Sequence, residues 1–319
     1  MKQVLRHPVD GTHNGSIFEQ PLWVAVFAFF SAVIWGFAFP LLKLGFVEFG
    51  IAQDMTGSKM LFAGLRFTLA GIIILIIAKL SHRSFAWKAQ LAREKYKDFL
   101  YLLLFTLMNT TLHYAFFYIG LSHSQGARAA ILNSLGVFLL VILACLFFKS
   151  DKMTYSKALG CVIGFLGILT LNMGGKESGS FTLLGDGMMI INTFCMAIAG
   201  LMTRGVNRRI DVFVGTGYSL GVGGALLIIV GLMMGGTLPN ASLWGGAILT
   251  MLIGISSIGF ALYNKLLTCN PMGKVAIWNS LIPVVGAVSS CLCLGEVFYW
   301  KYVFAAGMAM LGIYLLHKD

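Results

Sequence analysis

Apolar runs of about 18 to 24 residues recur along this chain with almost no charge inside them, and this recurrence limits the folds open to it. A helix needs ~20 consecutive apolar residues to cross a hydrocarbon core of ~30 Å, and backbone amides in lipid must find partners within their own span. Ten runs are therefore predicted as transmembrane helices: 21–42, 60–78, 99–120, 129–148, 155–173, 183–203, 212–234, 243–266, 274–294 and 299–316. A soluble alternative fails on composition. With 58% hydrophobic and 11% charged residues, a 319-residue chain lacks the polar surface to cover itself. The expected fold class is an all-α membrane protein.

Residues 1–20 are polar and punctuated by His7-Pro8, Asp10-Gly11 and Asn14-Gly15. Because the first apolar run starts only at Pro21 and is full length, it is expected to be a retained span rather than a cleaved leader. The largest loop is predicted over 79–98 and carries Lys79, Arg83, Lys88, Arg93, Lys95 and Lys97. With the N-terminus in the cytoplasm, these six join Lys2, Arg6, Lys149, Lys152, Lys157, Arg204, Arg208, Arg209, Lys265, Lys274 and Lys318 inside, against Lys43, Lys59, Arg128, Lys176 and Lys301 outside. The asymmetry favours both termini in the cytoplasm, in a plasma membrane such as a bacterial inner membrane. The net charge of +11 then reflects topology. No nucleic-acid partner is expected, an anionic substrate does not follow from it, and the basic loop can also meet acidic lipid headgroups.

Ala130 to Leu135 reads Ala-Ile-Leu-Asn-Ser-Leu, and Ala276 to Leu281 reads Ala-Ile-Trp-Asn-Ser-Leu. The same offset aligns a long apolar segment before each phrase, a polar turn after it and a final apolar segment. The chain thus divides into a repeat at 21–173, a linker at 174–182 rich in Gly and Ser, and a repeat at 183–317. Five spans per repeat is an odd number, so the second copy must enter the membrane from the opposite side. Two inverted five-helix repeats around a mid-membrane site are an architecture of many secondary transporters, which work by alternating access.

Ile34-Trp35-Gly36 followed by Lys43, Arg66-Phe67, Asn279-Ser280-Leu281-Ile282-Pro283 running into Leu294-Gly295-Glu296, and Gly307 with Gly312 together resemble the EamA-type domain of the drug/metabolite transporter superfamily. The resemblance covers residues 21–316 as two tandem domains. It departs where the first copy has Val137 and Ser150, with Asp151, against Pro283 and Glu296 in the second. It implies a secondary-active or facilitative carrier, often an exporter of amino acids, their derivatives or toxic compounds, that uses no ATP. The residues agree on the last point, since no Gly-x4-Gly-Lys-Ser/Thr phosphate loop is present. A multidrug or quaternary-amine carrier of the same fold is the alternative. From other classes, a passive channel or a structural membrane protein stays open.

Candidate site residues are polar or aromatic groups inside spans, where each is costly unless it faces protein or water. Asn109, His113 and Phe117 fall on one face of span three, and Tyr263 and Asn264 with Ser256 and Ser257 answer from span eight. Asn133 and Asn279 are repeat equivalents, with Trp278 beside the second; their amides could hold a substrate carboxylate or bond between the halves. Span one offers Ser31, Trp35, Ala38 and Phe39, and span six Asn192, Met196 and Thr203. Trp35, Phe39, Phe117, Tyr263 and Trp278 would form an aromatic chamber, although aromatics also simply fill a bundle holding 25 Phe. Pro40 and Pro283 are candidate hinges, Pro283 because it lacks the amide that would pair with the Asn279 carbonyl. Arg66 reads as structural, snorkelling or paired with a helix-end carbonyl.

No Asp or Glu lies mid-span, so any proton coupling would fall to His113, whose side chain ordinarily titrates near neutral pH. Without an acidic partner, strongly cationic substrates fit less well, except through an aromatic cage. The six cysteines suggest neither metal spacing nor disulfides, and no nucleophile–base pair is visible, so no enzyme activity, metal or cofactor is expected. Gly160-x3-Gly164 and Gly217-x3-Gly221 would allow close helix packing within the chain, and a homodimer contact through span five or ten stays open.

Overall fold

The computed structural model describes residues 17–149, 151–171, 181–240, 242–270 and 275–316. The expected tail and linker fall outside the described residues at 1–16 and 172–180, as does Ser150. In chain order the helices are α1 (Pro21–Glu48), α2 (Thr56–Leu80), α3 (Ala92–Ser122), α4 (Gly126–Phe147), α5 (Tyr155–Thr170), α6 (Leu183–Arg209), α7 (Val212–Met233), α8 (Leu243–Leu267), α9 (Ile277–Leu294) and α10 (Trp300–Leu316). Among the described residues, eight are long and apolar enough to cross a membrane, α5 and α10 are shorter apolar helices, and there is no strand.

The helices are apolar on more than their packed faces. Leu22, Val47, Leu146, Met233 and Leu243 are fully out in the surroundings at 72–95% exposure, a surface that only a lipid solvent tolerates. Trp23, Trp244 and Trp300, exposed near the starts of α1, α8 and α10, sit where an interfacial aromatic belt belongs. Helix ends are tied on two faces. On the face holding the start of α1, the Asn270 side chain donates to Phe18 O and Ser156 to Leu315 O. On the opposite face, Ser242 donates to Glu48 and Lys43 to Glu296.

Several helix boundaries differ from the sequence expectation, among them the ends of α1 at Glu48 and α6 at Arg209 and the starts of α3 and α4. The helix after the basic loop begins at Ala92, so Arg93, Lys95 and Lys97 ride on the start of α3 and the loop shrinks to residues 81–91. A charged first turn hides a helix from any hydropathy window. The remaining loop is held to the α6–α7 turn through Arg83–Asp211 (3.6 Å) and the Lys88 ammonium on Asn207 O (2.5 Å). Similarly, α4 starts at Gly126, which brings Arg128 into the helix instead of the outer loop; its guanidinium meets buried Asp186 at 2.7 Å.

Four helices depart from regular α geometry. A π-helical turn at Leu107–Thr111 interrupts α3, and another opens α6 at Leu183–Gly187. The two copies of the repeated phrase break alike: α4 hesitates at Ser134, and α9 opens with a 3-10 turn, Ile277–Leu281. Asn133 and Asn279 therefore sit at interruptions in the regular ladder, where functional groups concentrate.

Packing pairs α2 with α7 and α5 with α10; α1 lies on α8 and α9, α6 lies on α3 and α4, and α4 meets α9. The α2–α7 contact is backbone against backbone. A Cβ placed on Gly71 would sit 2.2 Å from the Gly221 nitrogen. Gly71→Ala is expected to cost about 1–3 kcal/mol through overpacking, read as a lower melting temperature in detergent. Gly254→Ala, with nothing within 4 Å of its Cβ position, is the silent control; equal melting of the two variants refutes the account.

Candidate functional site

A cavity of about 360 Å³ lies at the centre of the bundle, within the range of small-molecule sites. Its wall takes Trp35, Ala38, Phe39 and Leu42 from α1, Arg66 from α2, and Phe105, Asn109, His113, Tyr114 and Phe117 from α3. From α4 come Ala130, Asn133, Ser134 and Val137, and from α6 to α10 come Met196, Thr203, Thr216, Phe260, Tyr263, Asn264, Leu267, Asn279, Ile282, Pro283 and Ile313.

The aromatic wall is two clusters. Trp35 packs on Tyr263 at 5.2 Å and on Phe260 at 5.6 Å. Phe39 meets Phe117 edge-on at 5.5 Å, and Tyr114 lies between His113 at 4.3 Å and Phe67, on which it stacks at 3.8 Å. Polar groups are held by partners on neighbouring helices. Asn109 in the π turn of α3 donates to Ser219 Oγ at 3.0 Å, Asn264 to Thr216 Oγ1 at 3.1 Å, and Asn279 to the Tyr263 hydroxyl at 3.0 Å. Asn192 donates to Asn133 Oδ1 at 2.9 Å, an amide–amide bond between α6 and α4. Its own Oδ1 is buried without a partner. His113 Nδ1 faces the Asn192 carbonyl at 3.4 Å.

Of the residues expected at the site, Trp35, Phe39, Asn109, His113, Phe117, Asn133, Tyr263, Asn264, Asn279 and Pro283 line this one cavity. Asn192 sits behind the wall, fully buried and supporting Asn133. Trp278 points away from the chamber, edge-on to Phe29 at 6.2 Å and beside Val24, Ala28 and Leu266. Helix α1 runs through Pro40 without interruption, and the Asn279 carbonyl is taken by the Ile282 amide, one residue before Pro283. Sequence reasoning passed over Tyr114, Phe260, Phe105 and Thr216, and it placed Arg66 outside the site. For Arg66 the signal was there: a lone ionisable group inside a span marks a functional position by default.

The cavity is closed toward one face only. Toward the face of the α1 start, the wall continues to Thr203, Thr216, Leu267 and Ile313, all within about two turns of their helix ends. In the other direction, Phe46, Phe49, Phe62, Tyr118 and Leu121 are buried beyond it. At the same end Lys43 Nζ meets Glu296 Oε1 at 3.0 Å and Ser124 O at 2.8 Å. The same carboxylate accepts the Gly126 and Ala127 amides at 2.7 and 3.1 Å, capping the start of α4 where the helix dipole favours an anion. Gly295, at φ 63°, supplies the left-handed turn that ends α9 just before Glu296. Lys43 and Glu296 come from separate motif phrases, and together they tie α1 and the end of α9 to the start of α4.

A lipid-facing helical bundle around a ligand-sized chamber defines a multi-pass membrane protein built to hold a small molecule. Among the described residues no cluster of His, Cys, Asp and Glu could hold a metal. Residues 22–173 and 183–317 both match the EamA-like transporter family, and the chain belongs to that family. A protein of Archaeoglobus fulgidus named an uncharacterized transporter is 22% identical over 293 residues, covering 90% of this chain and 95% of its own. The uncharacterized transporter YvbV of Bacillus subtilis is 25% identical over 275 residues, with 84% and 82% covered. A solved crystal structure superposes with a TM-score of 0.62 at 13% identity, over 93% of this chain and 98% of that one, which bears on the fold alone.

Proposed function

We propose that the chain is a carrier in the plasma membrane, with both termini cytoplasmic, that exports a small organic metabolite such as an amino acid or a derivative and catalyses no reaction. In this reading α5 and α10 also span, giving ten transmembrane helices in two inverted halves. The packing supports it. Exchanging the halves maps α1 onto α6, α2 onto α7 and so on, and every pairing named above maps onto itself or onto another: α1–α8 becomes α6–α3, and α1–α9 becomes α6–α4. The observation that carries the functional reading is the one-sided cavity, closed at the Lys43–Glu296 end and with its wall continuing toward the face of the α1 start. Breaking that seal while closing the other end would complete alternating access.

Reconstituted vesicles test the proposal. Flux of the transported metabolite is expected to saturate and to be stimulated by substrate on the far side; flux that does neither is a channel's and ends the carrier reading. Asn279→Leu removes the amide that holds the Tyr263 hydroxyl in the wall, and is expected to lower saturable flux about fivefold, the worth of one net hydrogen bond. Labelling should find the loops after α4 and α9 on opposite faces of the bilayer. Finding them on one face removes the inversion.

A further inference from the structure

Arg66 is buried to 5% exposure in the cavity wall, and what surrounds it is dipolar or aromatic, with its guanidinium carbon 4.8 Å from the centroid of the Phe67 ring. Its Nε donates to Leu252 O at 3.2 Å and to Ser256 Oγ at 2.9 Å, and its Nη1 to the Tyr118 hydroxyl at 3.3 Å. The Ser256 hydroxyl spends its own proton on Leu252 O, which leaves its lone pairs for the guanidinium. Among the described residues Nη2 has no protein acceptor, and no Asp or Glu lines the cavity. An enclosed cation with no counter-ion is held at a large free-energy cost, which an anion entering the chamber would relieve.

We propose that Arg66 forms a carboxylate-binding subsite, so that the cavity takes a net monoanion whose apolar or aromatic body packs on the Phe39–Phe117 and Trp35–Tyr263 clusters. This rests on the reading of the cavity as the substrate site, and it narrows the substrate to an organic acid without a free ammonium, such as an N-acylated amino acid. The guanidinium fork matches the two oxygens of a carboxylate. One fixed cation balances one negative charge, so a dianionic phosphate would keep a charge unpaired. Of the other lining groups, His113 is the remaining basic one, and its Nδ1 faces the Asn192 carbonyl. An amino acid's ammonium would meet no carboxylate in this wall.

Four ligands with one side chain, an anion, a neutral amide, a zwitterion and a cation, test the subsite by equilibrium binding to the purified full chain: N-acetylphenylalanine, N-acetylphenylalanine amide, phenylalanine and phenylalaninamide. The acid is expected to bind at least about tenfold tighter than its neutral amide, as charge-assisted hydrogen bonds require, and phenylalaninamide weakest. Arg66→Gln should abolish the preference, and Arg66→Lys should keep part of it; if Arg66→Gln does not fold, the wild-type order and Arg66→Lys decide. Equal binding of acid and amide, tighter binding of phenylalaninamide, no binding of the acid, or an order unchanged in Arg66→Gln each overturns the proposal. Because binding is read without flux, an acid held through Arg66 by a protein showing no counterflow would uphold the subsite and sink the carrier reading. Saturable transport of phenylalaninamide that ignores Arg66→Gln would do the reverse.

Discussion

Asp186→Ala is expected to destabilise the solubilised protein by about 3–5 kcal/mol, the cost of leaving a buried ion without its partner. The Arg128 and Asp186 side chains are 5% and 3% exposed. Their contact is bidentate, Nε to Oδ1 at 2.7 Å and Nη2 to Oδ2 at 2.9 Å, and Asp186 also takes the Thr182 amide at 3.0 Å. Removing the carboxylate takes the charged partner from a guanidinium that also donates to the Leu171 carbonyl at 2.8 Å, and frees the turn that opens α6. A double replacement, Arg128→Met with Asp186→Leu, takes away both charges and should recover most of the loss, because the penalty belongs to the unpaired charge more than to the missing bond. Melting curves in one detergent compare the three proteins. If the single variant melts with the wild type, the pair contributes nothing to the junction of α4 and α6.

Glu296→Ala is expected to loosen the sealed end of the cavity by about 2 kcal/mol, a shift of about thirtyfold in the ratio of closed to open. Its carboxylate is only 10% exposed and Lys43 25%, so solvent screening reduces the ion pair, and the two α4 amides add to what is lost. A cysteine at Leu42, which lines the cavity just inside the seal, reports the change when the six native cysteines have been replaced. A membrane-impermeant maleimide added on the Glu296 face should label it roughly ten- to thirtyfold faster in the Glu296→Ala background. An unchanged labelling rate would place the seal in the Phe46, Phe62 and Tyr118 layer and leave the ion pair a bystander.

The apolar runs, the repeated Asn-Ser-Leu phrase and the motif residues were legible before any coordinates, because each is a property of a stretch read along the chain. The expected α-helical framework needs only that backbone groups in lipid be paired within each span, a condition local to the segment. Boundaries were less legible. Arg93, Lys95 and Lys97 mark a helix start that looks like a loop, and Arg128 looks like an outer anchor until Asp186 is brought to it from 58 residues away.

Which side chains share the chamber was decided only by the tertiary structure. In a soluble helix the apolar stripe announces the inward face, but here lipid and protein interior are alike in polarity, so the sequence carries no such stripe and the rotation of each helix is set by its neighbours. That is why Trp278, adjacent to Asn279, turns to Phe29 while Asn279 faces the cavity. It is also why Arg66 came to the wall. Sequence alone determined that this chain is a repeated set of membrane helices with rare polar groups; the close approach of Gly71 to Gly221, and of α1 to α8 and α9, determined which of those groups meet.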